Sequence, residues 1–114
     1  MDEFQEIIDT YISNYNLYDK GKIDFECEYG EIIFYKDYKK PNVLIIFGLY
    51  IKPEYREKGY CRSIFQYIID NNSNTFKWLC VQSVISKVLY EYLLRFEYKN
   101  KDFNLKKDGF YLKL

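Results

Sequence analysis

At 114 residues, the chain is long enough for one hydrophobic core and too short for two. Its 17 basic and 17 acidic side chains cancel, so no overall field draws it onto nucleic acid or an anionic membrane. It contains no histidine, which removes histidine triads, histidine metal ligands and histidine general bases. With 48% hydrophobic and 21% aromatic residues, disorder is excluded as well. The 14 Tyr and 9 Phe, with abundant Ile, Lys and Asn, point to an AT-rich genome such as that of a virus or a low-GC bacterium. Cys27, Cys61 and Cys80 are odd in number and lack the close spacing of a zinc site. No metal is therefore expected, and the thiols read as small core residues of a reducing compartment. The first residues, Met-Asp-Glu-Phe-Gln-Glu, are acidic where a signal peptide is basic and apolar. No apolar run approaches the ~20 residues of a membrane span. The expectation is a soluble protein of the cytoplasm, or of the host cytoplasm if viral.

Asp2 and Gln5 resemble a capping pair. Phe4, Ile7, Ile8, Tyr11, Ile12 and Tyr15 then recur at helical spacing, which predicts a helix to about Tyr18. Residues 23–29 alternate between Ile23, Phe25, Cys27 and Tyr29 on one face and Asp24, Glu26 and Glu28 on the other, the pattern of a half-exposed strand. Gly30 turns the chain into a second strand over 31–37. Residues 43–51 are apolar almost throughout, as in a strand covered on both faces. A helix follows with Ile64, Phe65, Ile68 and Ile69 on one side, and a strand over 76–82 comes next. Ile85, Val88, Leu89, Tyr92, Leu93 and Phe96 predict a further helix. The tail reads as two strands, 97–104 and 109–114, around Asp108-Gly109. The order α-β-β-β-α-β-α-β-β predicts a single α/β (α+β) domain over 1–114, with helices on both faces of a mixed sheet.

The connection from the apolar strand to its helix carries the chemistry. Pro53-Glu54-Tyr55 leads into Arg56-Glu57-Lys58-Gly59-Tyr60-Cys61, and Arg62 follows. A turn that opens a helix presents backbone N–H groups without intrahelical partners at the positive end of the helix dipole. It is a seat for phosphate or pyrophosphate. Gly59 allows close backbone approach, and Arg56, Lys58 and Arg62 add positive charge.

A strand, then Arg56-x-x-Gly59-x-Cys61 opening a helix, resembles motif A of the GNAT superfamily of N-acetyltransferases. The element order is similar too, over roughly residues 23–114. The resemblance implies a mostly antiparallel mixed sheet and acetyl-coenzyme A as co-substrate. It places the pyrophosphate on the backbone of Arg56, Glu57, Lys58, Gly59, Tyr60 and Cys61, beside Arg62, and the pantetheine arm along Leu49, Tyr50 and Ile51. Ser83 and Ser86, followed by Leu89-Tyr90-Glu91 and Phe96, resemble the later family pattern; this implies Ser83 and Ser86 at the coenzyme and Tyr90 as the acid that protonates the departing thiolate. Tyr90 also lies off the apolar stripe centred near Tyr92 and Phe96, on one face with Ser83 and Ser86. The sequence departs from the pattern at Cys61, where the family has Gly or Ala, and at Arg95, where it usually has Gly. One extra residue separates Tyr90 from Phe96, and a register anchored on Phe96 puts Glu91 in the tyrosine's place.

Two functions from different classes follow. The first is acetyl transfer from acetyl-coenzyme A to a primary amine: a protein lysine, an N-terminus or a small amine. The second is a catalytically reduced GNAT-fold module that binds coenzyme A or a partner protein. No general base stands out, since Glu26, Glu28 and Glu31 read equally as the polar faces of strands. A cysteine nucleophile has no histidine to activate it. Monomer and homodimer are both compatible with the sequence.

Overall fold

A computed structural model describes residues 3–72, 75–82, 91, 103–106 and 109–114. Helix α1, Glu3–Ser13, buries Phe4, Ile8 and Tyr11 completely. Eleven residues make a marginal helix in water, so this buried stripe, at about 1.5–3 kcal/mol per large apolar side chain, holds it in place. The helix stops short of Tyr18. Asn14 directs both its backbone N–H and its Nδ2 at the Thr10 carbonyl, and a 3-10 turn, Tyr15–Leu17, follows.

Strands β1 (Gly21–Cys27), β2 (Gly30–Lys36) and β3 (Val43–Ile51) form an antiparallel meander. Helix α2, Tyr60–Asn71, carries the chain to β4, Trp78–Val81, which lies parallel to β3. The tail gives β5, Phe103–Lys106, and β6, Gly109–Lys113. All six strands form one sheet in the order β1-β2-β3-β4-β6-β5, and only the β3–β4 pair is parallel. Strands β5 and β6 pair antiparallel, and the first continues past the expected 104 to Lys106, opposite Gly109. The expected strand residues 97–102 lie outside the described residues. Tyr29, read as the end of a strand, instead lies in the tight link between Cys27 and Gly30.

Helices α1 and α2 cover the same face. Their Ile8, Tyr11, Ile64 and Phe65 join Phe34, Ile46 and Leu79 in one core. On the other face Ile45, Cys80 and Tyr111 are also buried. Leu44, Ile45 and Ile46 of central strand β3 are accordingly buried on alternating faces. The expected cover does not extend along the whole run: Phe47, Gly48 and Leu49 are half-buried and Tyr50 is exposed. The helix expected over 85–96 lies outside the described residues except Glu91, which is helical and exposed.

Two polar side chains inside this core make opposite predictions. Lys36 is buried, and its Nζ donates to the carbonyls of Tyr15 (2.8 Å) and Tyr18 (2.7 Å), closing the end of the α1 segment. The Tyr15 ring lies 4.5 Å below the ammonium. Lys36→Met leaves two carbonyls without this donor and should lower the unfolding free energy by about 2 kcal/mol in urea titration.

Tyr11 stacks on Phe34 at 3.9 Å, but its buried hydroxyl has no partner among the described residues. Tyr11→Phe should therefore raise stability by about 1 kcal/mol. Burial, then the neighbouring Tyr15 and Tyr18, raise the Tyr11 pKa well above its ordinary 10.0. The unfolded chain ionises first, so stability is intact below about pH 10 and declines as pH rises further. Tyr11→Phe should shift alkaline unfolding, followed by circular dichroism, to higher pH.

Candidate functional site: a strand opening and a basic turn

Strand β3 is longer than its parallel partner. Its pairing with β4 runs from Val43 opposite Trp78 to Ile46 opposite Val81, and the Gln82 N–H bonds the Ile46 carbonyl at 2.9 Å. Beyond that point β3 continues to Ile51 and is paired with β2 alone among the described residues. A bulge at Phe47 changes which residues face each neighbour: Phe34 stands opposite Ile46, but Ile33 stands opposite Gly48. The Lys52 N–H then bonds the Tyr29 carbonyl at 2.9 Å. Alternation from there turns the backbone groups of Tyr50 toward β2 and those of Leu49 and Ile51 toward the side that β4 has left. Among the described residues the result is an opening in the sheet with a strand edge along one wall.

The basic turn stands at the end of that edge. Pro53–Tyr55 forms a 3-10 turn that starts from the Lys52 carbonyl. Arg56 folds back, its Nε donating to the Ile51 carbonyl at 2.8 Å and its guanidinium lying 5.4 Å from the Tyr50 ring centre. This bond fastens the turn to β3 and uses the outward carbonyl of Ile51. It leaves the Ile51 amide and the Leu49 amide and carbonyl as the edge groups of the opening among the described residues. Glu57 adopts φ 63°, a left-handed conformation rare for a residue with a side chain. Gly59 also has positive φ, 81°, and is the N-cap of α2. It supplies no capping side chain, so the first amides of α2 receive no acceptor from the N-cap residue. Among the described residues nothing lies within 4 Å of a Cβ built at Gly59.

Beneath the turn is an aromatic cluster. Tyr60 stacks on Tyr29 at 5.1 Å and meets Phe4 edge-on at 6.2 Å; Tyr29 meets Tyr55 at 4.8 Å. These contacts, each of the order of 1 kcal/mol, fix the start of α2 against α1 and the β1–β2 link. The side chain of Tyr60 is therefore packing, and only its backbone faces the turn. Cys61 is half-buried against the core, where burial pushes its thiol pKa up. Burial likewise raises the Cys27 thiol. Neither is poised as a thiolate, in keeping with the sequence.

Of the expected site residues, Leu49, Tyr50, Ile51 and 56–62 come together at one end of β3. Arg56, Glu57, Lys58, Gly59 and Arg62 are exposed. Ser83, Ser86 and Tyr90 lie outside the described residues. Asp24, Glu26 and Glu31 place carboxylate oxygens within 4.8 Å of one another on exposed or half-exposed strand faces. Desolvation, then the Asp24 and Glu26 charges, raise the Glu31 pKa. Only carboxylates in open surroundings contribute to this group, and we assign no metal to it. Sequence reasoning missed the opening itself, since strand pairing that stops halfway leaves no local mark beyond Gly48 near the bulge.

No family model matches the sequence, and no curated protein matches it. Among solved structures, the chain is similar to a provisionally assigned acetyltransferase from Exiguobacterium sp. 255-15. The TM-score is 0.55 at 16% identity, over 95% of this chain and 73% of the other. At that identity the likeness is one of fold. Together with the sheet order and the single parallel pair, it gives the chain a GNAT-like fold.

Proposed function

We propose that the protein is an acetyl-coenzyme A-dependent N-acetyltransferase that acylates a primary amine on a protein lysine, an N-terminus or a small molecule. The observation that carries this reading is the end of β3–β4 pairing at Ile46, beside a basic turn that opens α2. An open strand edge suits the amides of a pantetheine arm, which pair with a backbone as a short strand does. Helix amides with Arg56, Lys58 and Arg62 suit a pyrophosphate. The two seats are joined through the Arg56 to Ile51 bond, as one elongated ligand requires.

In the reaction, the lone pair of a neutral amine attacks the thioester carbonyl carbon. The carbon–sulfur bond breaks, an amide forms, and the thiolate takes up a proton. The Leu49 N–H lies on the open side of β3 and is a described donor suited to a developing oxyanion. Tyr90 is the proposed proton donor to sulfur. The amine loses its proton to solvent or to a carboxylate.

Calorimetry with acetyl-coenzyme A tests the reading, and absence of binding at millimolar ligand would sink it. Tyr90→Phe should lower turnover by about a hundredfold, the usual scale for a general acid, with coenzyme affinity unchanged. Coenzyme binding with no turnover toward lysine, peptide or polyamine acceptors would leave the binding-module reading in its place.

A further inference from the structure

We propose that the outer edge of β1, with the groove beside it, docks an extended lysine- or arginine-rich polypeptide segment, which adds to the sheet as a further strand. This surface is separate from the β3 opening, and the proposal does not depend on the coenzyme reading. Two independent features coincide here. One is an open backbone ladder; the other is a concentration of one sign of charge.

Strand β1 ends the sheet and pairs only with β2 among the described residues. The Glu28 N–H points away from β2, since it donates to the Glu3 carboxylate of α1 at 2.8 Å. With a period of two, the backbone groups of Glu26, Asp24 and Lys22 share that outward direction. They are the groups that an added strand would pair with.

Between this edge and α1 runs a groove of about 390 Å³. Its lining includes the acidic residues Glu3, Glu6 and Glu28, and its apolar part includes Ile7 and Phe25. Glu3 and Glu28 are held in place, by the Glu28 N–H and by the Tyr55 hydroxyl at 3.1 Å respectively. Glu6 and Glu26 are exposed. On the other face of the same edge the carboxylates of Asp24, Glu26 and Glu31 lie within 4.8 Å of one another and add further negative charge. The cation on this edge, Lys22, lies with its Nζ 4.3 Å from the Phe47 ring centre. The chain as a whole is neutral, so the acidity is local.

Charged residues on an edge strand ordinarily discourage aggregation. The groove separates this edge from that ordinary case, because it gives side chains of an added strand an apolar floor and acidic walls. A second copy is a poor occupant. Antiparallel pairing about Asp24 would set it against the same residue of its twin, and like charges directly opposite are destabilising. A basic segment meets no such conflict and gains from every carboxylate.

The test titrates the full chain with an end-capped peptide of alternating lysine and threonine, and separately with its glutamate-for-lysine twin, following backbone amide NMR shifts. The lysine peptide should perturb residues 22–28 most strongly and bind more weakly as salt increases. Glu6→Gln combined with Glu26→Gln should weaken binding about tenfold, as expected for two lost exposed pairs. Asp24→Pro removes an outward N–H while leaving the β1–β2 ladder, a substitution that edges tolerate, and should weaken it too. Equal binding of the glutamate peptide would overturn the proposal, as would unmoved β1 amides at millimolar lysine peptide. A dimer of the chain alone that Asp24→Pro disrupts would assign the edge to a second copy and overturn it as well.

Discussion

Gly30→Ala should destabilise the protein by about 3 kcal/mol or more, the range of a strained and overpacked backbone position. Gly30 opens β2 at φ 154°, and a Cβ there would collide with the Tyr50 carbonyl and crowd the Ile51 Cα. The obstacle is backbone on both counts, so no side chain can swing aside. Relief requires β2 and β3 to separate at Gly30–Ile51, where the turn and the Leu49 edge are anchored. The variant should therefore lose both its urea midpoint and its coenzyme affinity. Gly48→Ala is the matched control: its Cβ would lie 3.5 Å from the Ile33 Cδ1, an ordinary contact. It should change stability little. A Gly30→Ala protein as stable as its parent would show that the β2–β3 approach is looser than described.

Gly59→Glu should reduce coenzyme A affinity by a hundredfold or more, about 3 kcal/mol, while the protein stays folded. Among the described residues nothing lies within 4 Å of a Cβ built at Gly59, so the substitution costs the left-handed backbone, about 1 kcal/mol. A carboxylate at the N-cap of α2 would compete with the pyrophosphate for the same amides and repel it. Gly59→Ala separates the causes, since it carries the backbone cost without the charge and should retain most of the affinity. Calorimetry on both variants reads the difference. Unchanged affinity in Gly59→Glu would place the pyrophosphate elsewhere.

The strand, turn and helix from Val43 to Asn71 were legible because their signals are local. An unbroken apolar run, Pro53 at the start of a 3-10 turn, and a glycine before a 3.6-residue repeat each act on their own neighbours. The end of β3–β4 pairing at Ile46 was not legible, because it depends on where two distant segments part. The bulge at Phe47 decides which amides face the opening, yet its neighbours read as a plain apolar run. Tyr60 shows both cases. Its backbone was legible as part of the turn, but the packing of its ring with Phe4 and Tyr29 was not, because those partners lie far away in the sequence. Similarly, helical spacing carried α1 on toward Tyr18, whereas Asn14 and the Lys36 ammonium end it earlier through contacts that periodicity cannot register.

The early departure of β4 from β3 divides the sheet into two three-stranded halves, sewn together by the four residue pairs from Val43–Trp78 to Ile46–Val81. Parallel ladders are slightly weaker per residue than antiparallel ones, so this seam is the natural line along which the two halves flex. A ligand lodged where the seam ends acts as a wedge that fixes their spread. Its arrival should then be felt in β4 and β6, as slower amide exchange in strands that it never touches.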